Sequence, residues 1–192
     1  LRVLDIANPL QPHELGGYEI AGGHAGSVMV AGRTAYVAAR NSGLRVMDVS
    51  DPAHPSQVGL YSPMGNAKEI SISGSYAFVG AANFGLRIID VSQPAPPVQT
   101  GALEIGEHAD YLEVVIPYVY ICTARSGSSL FVVDISNPAQ PVLMGQTQLF
   151  GASACRDLDV AEDIAYIANE WGLELISIAD PLHPTRLGFL QM

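Results

Sequence analysis

Glu113 and Asp159 occupy the same position in successive repeats, where earlier copies carry Met29 and Ser71. A pair of carboxylates facing one space is the apparatus of glycoside cleavage, in which a carboxyl of raised pKa donates a proton. Each alternates with apolar neighbours, so it must be paired or reach water. No sugar-cleft signature accompanies them. The favoured reading is that each accepts hydrogen bonds from a backbone amide or an arginine, and no catalytic residue is assigned. A second recurring carboxylate, at Asp5, Asp48, Asp90 and Asp134, invites a calcium reading with Asp51 and Asn137 nearby. Calcium needs several oxygens converging in one loop. Here one Asp per repeat precedes Ser or Ala and then Pro, which fits a cap on backbone amides with proline stiffening the exit. His13, His54 and His183 sit beside the second proline of that turn and read as turn residues. HExxH, GxSxG, CxxC and phosphate-cradling patterns are all absent from the sequence. No metal or cofactor is expected.

The elements that position these residues are set by an internal repeat. Leu-x-Val-x-Asp-x-Ser-x-Pro-x-x-Pro recurs as LRVLDIANPLQP from Leu1, LRVMDVSDPAHP from Leu44, LRIIDVSQPAPP from Leu86, LFVVDISNPAQP from Leu130 and LELISIADPLHP from Leu173. The Asp residues are 43, 42 and 44 apart, and Ser177 follows after 43. Units of this size cannot bury a core alone and must stack. In the type module, Asn66 to Ile105, ISIS alternates apolar and polar as a strand does, Gly74-Ser75 turns, and YAFVGAA is a second strand. Asn83-Phe84-Gly85 is a loop with glycine for positive φ. LRIIDVS is a third strand, apolar on both faces. Gln93 to Pro97 blocks any helix, and PVQTGALEI is a fourth strand with a bulge or bend at Gly101. Other first strands are SVMVAG, LEVVIP and LDVAED, and other second strands TAYVAAR, YVYICTA and AYIANE. No segment has a sustained helical period.

Four short antiparallel strands per period predict an all-β chain, a β-propeller built from four-stranded blades. An open β-solenoid is the less favoured architecture. The LRVMDVS, LRIIDVS and LFVVDIS segments resemble the LVIVD repeat family over essentially the whole chain. The resemblance implies a propeller, and exported or cell-surface proteins mostly without assigned biochemistry. The last copy departs from the motif, with Ser177 for Asp and Glu174 for Arg, as a terminal module would. The expected organisation is a half module (1–22) and four modules (23–63, 64–105, 106–149, 150–192). Strands to complete the half module are not left over. That leaves a fragment of a ring of about six to eight blades, the favoured reading, a five-bladed ring with one thin blade, or strands supplied by another chain. Cys122 and Cys155 fall near one face of neighbouring modules, where a disulfide is compatible, although two buried reduced thiols are the preferred reading.

In a propeller the loops entering the first strands, with those between second and third strands, cluster at one end, the usual ligand mouth by analogy of fold. The entering loops carry His24, Asn66, His108 and Ala154 at equivalent positions, with Lys68, Asp110 and Arg156 beside them. The other loops carry Arg40, Asn41, Asn83, Phe84, Arg125, Glu170 and the single tryptophan, Trp171. Varied polar loops on a constant frame suit a binding surface, while solvated turn residues remain the simpler reading for any one of them. His24, Arg40, Asn66, Phe84, His108, Asp110, Arg125, Arg156, Glu170 and Trp171 are the candidates for binding. Trp171 suits stacking on a sugar ring or anchoring a protein, and equally covering a blade end.

Composition narrows the partner. Hydrophobic residues are 48% and aromatics only 7%, which suits an interior of small branched contacts. A net charge of −10, with one lysine, opposes nucleic acid and anionic membranes. The longest apolar run, Val114 to Ala124, is too short to cross a bilayer and contains Pro117. The chain begins at Leu1, so an export signal could have been removed. The expectation is a non-enzymatic exported or surface scaffold binding protein or glycan. The alternatives are a surface-layer or filament subunit, forming a homo-oligomer, and a hydrolase or lactonase using carboxylates with His24 or His108.

Overall fold

Period-two alternation becomes strand throughout. The computed structural model describes residues 1–22, 24–62, 65–93, 95–125, 127–152 and 154–192. Pro94, part of the helix-blocking run after the third strand, lies outside the described residues, as do Gly23, Pro63 and Met64 at module boundaries. A two-stranded half-blade pairs β1 (Arg2–Asp5) with β2 (His13–Gly17). The first full blade runs β3 (Ser27–Ala31), β4 (Thr34–Ala38), β5 (Leu44–Asp48) and β6 (Ser56–Tyr61). The second runs β7 (Glu69–Ser73), β8 (Tyr76–Gly80), β9 (Leu86–Asp90) and β10 (Val98–Leu103). The third runs β11 (Tyr111–Val115), β12 (Tyr118–Cys122), β13 (Ser129–Asp134) and β14 (Val142–Gln148). The fourth runs β15 (Cys155–Ala161), β16 (Ile164–Asn169), β17 (Gly172–Ser177) and β18 (Thr185–Gln191). Every neighbouring pair is antiparallel and in sequence order, and a single short 3₁₀ turn, Phe150–Ala152, is the helical content among the described residues. His13 is the first residue of β2 rather than a turn residue.

The inner strands β3, β7, β11 and β15 lie side by side in order, and the blades pack face to face around them. Three apolar layers result. Tyr36, Leu44 and Val46 meet Ile70, Val79 and Ile89. Phe78, Leu86 and Ile88 meet Val119, Ile121 and Val133. Tyr120, Leu130 and Val132 meet Leu158, Ile167 and Ile176. A smaller layer joins the half-blade, through Leu1, Tyr18 and Ile20, to Ala35, Val37 and Met47. Each fully buried Leu, Ile or Phe contributes roughly 1.5–3 kcal/mol. Strands of the middle blades are buried on both faces, which is why their sequences read as unbroken apolar runs. In β16 and β17 burial alternates residue by residue, because only one face has a neighbour.

The recurring Asp ends the third strand as expected. Asp5, Asp48, Asp90 and Asp134 accept from the amides two residues on, Ala7, Ser50, Ser92 and Ser136, at 2.7–2.8 Å. Bonds from the amide and hydroxyl of Ser50, and from the hydroxyl and amide of Ser92 and Ser136, hold the last three carboxyls below the ordinary range. The fourth strand then bulges at its glycine, between Gln99 and Gly101 in β10 and between the corresponding partners elsewhere. Where the motif changes, a buried charge pair takes over. The Glu174 carboxylate has no solvent exposure and accepts from Arg186 Nε at 2.6 Å and the Phe150 amide at 3.0 Å. Arg45 occupies the matching site and donates to Gln57 at 3.1 Å. The fourth blade has therefore replaced a cation–amide pair by a carboxylate–cation pair at these positions.

One alternative and one preferred reading need correction. The five-bladed ring, the alternative to the favoured fragment reading, does not close here: Val28 and Val30 of β3 are exposed, Val30 at 61%. The arc is open at both ends. Cys122 and Cys155 are joined in a disulfide instead of standing as reduced thiols, with Cα atoms 6.1 Å apart. The reason is local. Cys122 takes the place that Gly80 has one blade earlier, where a Cβ would meet the Ala109 carbonyl oxygen at 2.7 Å. Cys155 takes the place of Ala109, so the two cysteines face each other where neighbouring blades come closest. The crosslink spans a sequence separation of 33 and is expected to stabilise the fold by about 2–4 kcal/mol. Urea unfolding with and without reductant tests this; identical midpoints would show that the thiols are free in solution.

Candidate functional site

Short backbone stitches at one end of the arc tie each loop to the next blade. After β4 the chain turns at Arg40, with φ of 44°, and Arg40 and Ala67 exchange amide–carbonyl bonds of 2.9 and 3.1 Å. After β8, Ala82 adopts φ of 37° and its carbonyl accepts from Ala109 at 3.2 Å. The third junction has the Cys155 amide donating to Thr123 at 3.1 Å, beside the disulfide. Loops that precede and follow a strand are thereby locked together, and their side chains project from a stiff rim.

Between the first three blades this rim encloses a cleft of about 570 Å³, lined by Asn41, Gly65, Asn66, Lys68, Ala82, Asn83, His108 and Arg125. Asn41 and Asn83 hold equivalent loop positions, as do Asn66 and His108. Lys68 pairs with Asp110, whose side chain is almost wholly buried. The other Asp110 oxygen accepts from the Ala124 amide at 2.8 Å. A carboxylate satisfied on both oxygens fixes the ammonium at the cleft wall. The Lys68 carbonyl itself rests on Gly26, where a Cβ would come within 2.3 Å of the oxygen. Among the described residues, Asn66 Oδ1 is buried and has no hydrogen-bond partner. A buried acceptor left unsatisfied costs about 1–3 kcal/mol.

The candidates separate into groups. Asn66, His108 and Arg125 come together in the cleft, with Asp110 behind Lys68. Arg40 contributes its backbone stitch, while its side chain is exposed. Phe84 packs over Gly65, with the Arg87 guanidinium 5.8 Å from its ring centre, and lies outside the lining. His24 is exposed and lies outside the lining. Arg156 pairs with Glu170 on the fourth blade, and Trp171 stands half exposed beside Gly151. These three sit apart from the cleft. Asn41, Asn83, Lys68 and Gly65, the last with φ of 125°, also line the cleft. Asparagine recurring at matching loop positions was the pattern visible in the sequence.

The inner-strand carboxylates lie outside this lining. Burial holds the Glu113 carboxyl above its ordinary range, and the charges of Asp159, Glu69 and Asp157 add to the shift against a hydrogen bond from Val114. Ionised Glu113 therefore opposes folding. Its contribution to stability is full below the ordinary glutamate range and is lost as pH rises through the raised value. Glu113→Gln is expected to be more stable than the parent at pH 7, with the gain shrinking toward pH 4. Urea midpoints at the two pH values measure it, and a gain that does not change with pH would refute this account.

The comparisons with known proteins agree with this architecture. The LVIVD repeat profile matches residues 22–62, 64–103, 109–148 and 152–189. A search of curated proteins finds no match. Among solved structures, the computationally designed Ika8 protein superposes with a TM-score of 0.70 at 14% identity, over 93% of this chain and 53% of its own. This chain thus spans about half the length of that one. The computationally designed Ika4 protein superposes with a TM-score of 0.66 at 12% identity, over 87% of this chain and 99% of its own. At such identities the likeness concerns the fold. With four repeat matches falling on four stacked, four-stranded blades, the chain belongs to the LVIVD repeat family.

Proposed function

We propose that this chain is a non-enzymatic recognition scaffold of the extracellular or cell-surface space, holding a protein or glycan partner at the mouth of the propeller. The observation that carries this reading is the cleft shared by three blades, with Asn41, Asn66, Asn83, Lys68, His108 and Arg125 converging on it. Amide side chains both donate and accept, as sugar hydroxyls do. The unpartnered Asn66 oxygen calls for a hydroxyl or amide donor. Arg125 puts a cation at this end of a chain whose net charge is −10, beside Lys68, whose charge Asp110 balances. A ligand bearing an isolated carboxylate is drawn there, whereas a polyanion is repelled by the remaining surface. The disulfide supports the extracellular assignment, since such bonds persist in oxidising compartments.

A hydrolase is the second reading, and the raised carboxyl of Glu113 beside the charge of Asp159 is what favours it. Hydrolysis of an aryl glycoside that disappears in Glu113→Gln would establish that reading instead.

Calorimetric titration with a uronate-containing oligosaccharide and its neutral counterpart tests the recognition scaffold. The acidic sugar is expected to bind more tightly, and Arg125→Ala and Asn83→Ala to weaken it by about 1–3 kcal/mol each, the usual cost of losing a charged or well-placed hydrogen bond. Asn66→Ala should weaken it too. Binding untouched by all three substitutions would place recognition elsewhere. Failure of both sugars to bind, together with retained capture of a protein partner, would select the protein arm of the proposal.

A further inference from the structure

We propose that a second cleft, at the outer edge of the junction between the first and second blades, binds a free α-amino acid, its carboxylate on Arg87 and its ammonium on Glu104. The cleft measures about 430 Å³ and is lined by Tyr61 and Ser62 from the first blade and by Arg87, Gln99, Ala102 and Glu104 from the second. Both blades are complete four-stranded sheets. The repeat shows what sets Arg87 apart. At its position in the third strand, the side chain meets the residue twelve positions on: Arg2 meets Glu14 at 2.7 Å, Arg45 meets Gln57 at 3.1 Å and Glu174 meets Arg186 at 2.6 Å. In the second blade the corresponding residues are Arg87 and Gln99, and they do not pair. Gln99 Oε1 accepts instead from the Tyr61 hydroxyl at 2.6 Å. Arg87 Nη1 donates to the adjacent Leu86 carbonyl at 3.2 Å, and the Glu104 carboxylate stands 4.0 Å from Nη2, beyond hydrogen-bond reach. The Arg87 side chain is only 10% exposed. Among the described residues, a nearly buried guanidinium is thus left with one backbone acceptor and a distant carboxylate, an arrangement that is costly without a closer anion.

Charge identifies the occupant. A planar guanidinium takes a carboxylate through paired N–H bonds. The Gln99 amide, its oxygen engaged by Tyr61, keeps its N–H groups for the same carboxylate. Burial holds the Tyr61 phenol above its ordinary range, against the opposing charge of Arg87, so the hydroxyl retains its proton and its bond to Gln99. A simple anion on Arg87 would lie close to the Glu104 carboxylate and be repelled by it. A ligand with an ammonium one carbon from its carboxylate answers both charges. The Glu104 side chain, mostly exposed, can turn to meet that ammonium without disturbing the sheet. The volume lies within the range of small-molecule sites. This cleft shares no lining residue with the mouth. The proposal is independent of what the mouth binds.

Saturation-transfer NMR of the chain with an equimolar mixture of the standard L-amino acids is the first step of the test. Titration of the strongest responder, its N-acetyl derivative and its amide follows. The expected result is saturable binding of the free amino acid, with a Kd roughly in the micromolar to millimolar range. Each derivative lacks one of the two charges and is expected to bind at least about tenfold more weakly. Arg87→Gln should weaken the free amino acid by a similar factor, while Arg45→Gln, at the matching position of the first blade, leaves it unchanged. Glu104→Gln alters an exposed side chain and leaves the fold intact. It is expected to weaken the free amino acid and to tighten the N-acetyl derivative, a crossing that a purely structural Arg87–Glu104 pair would not produce. Absence of saturable binding by every amino acid overturns the proposal, as do derivatives that bind as tightly as the parent. Binding indifferent to both Arg87→Gln and Glu104→Gln overturns it too, and its loss in Arg125→Ala would then place the ligand in the mouth.

Discussion

A four-stranded sheet with apolar side chains on both faces has no stable existence in water until a neighbour covers each face. That constraint runs through every feature of this chain. It explains why Phe78, Leu86, Ile88 and Ile89 leave almost no surface exposed in the second blade, while the fourth blade alternates buried and partly covered residues along β16 and β17. It also explains why one module length recurs with so little drift. An insertion inside a strand would move its apolar set to the wrong face.

Close approach of the blades imposes a second level of detail. Apolar layers fix which faces meet, but not how near the backbones come. The glycines Gly16, Gly101 and Gly145 admit a carbonyl of the next proline turn, and Gly26 and Gly80 admit carbonyls at the opposite end. At the third interface the disulfide occupies the place of such a contact. Held at both ends, the blades leave little freedom to the rim loops, and the cleft residues inherit that rigidity. Preorganised polar groups lose less conformational entropy when a ligand arrives.

Charge is placed according to whether water can reach it. The turn carboxylates at Asp48, Asp90 and Asp134 lie in solvent and satisfy amides that the ladder leaves over. Glu174 and Asp110 are buried, and each is surrounded by donors that make burial tolerable. Removing one partner of such a group would strand a charge in a poor dielectric, which costs far more than the pair itself contributes. Glu113 is the exception, half-buried among other acids, and its carboxyl responds by holding its proton to higher pH.

The sequence by itself determined the strand pattern, the module period, the all-β class and the role of the recurring Asp, because these depend on side-chain alternation and on contacts within a few residues. It also indicated that polar loops gather at one end. Only the tertiary structure decided which of them share a space. Asn41, Asn66, Asn83, Lys68, His108 and Arg125 converge across three blades, while His24, Phe84 and the Arg156–Glu170 pair lie outside the lining. The cysteine pairing belongs to the same category. It depends on how near two sheets approach, and that distance arises only when blades are stacked.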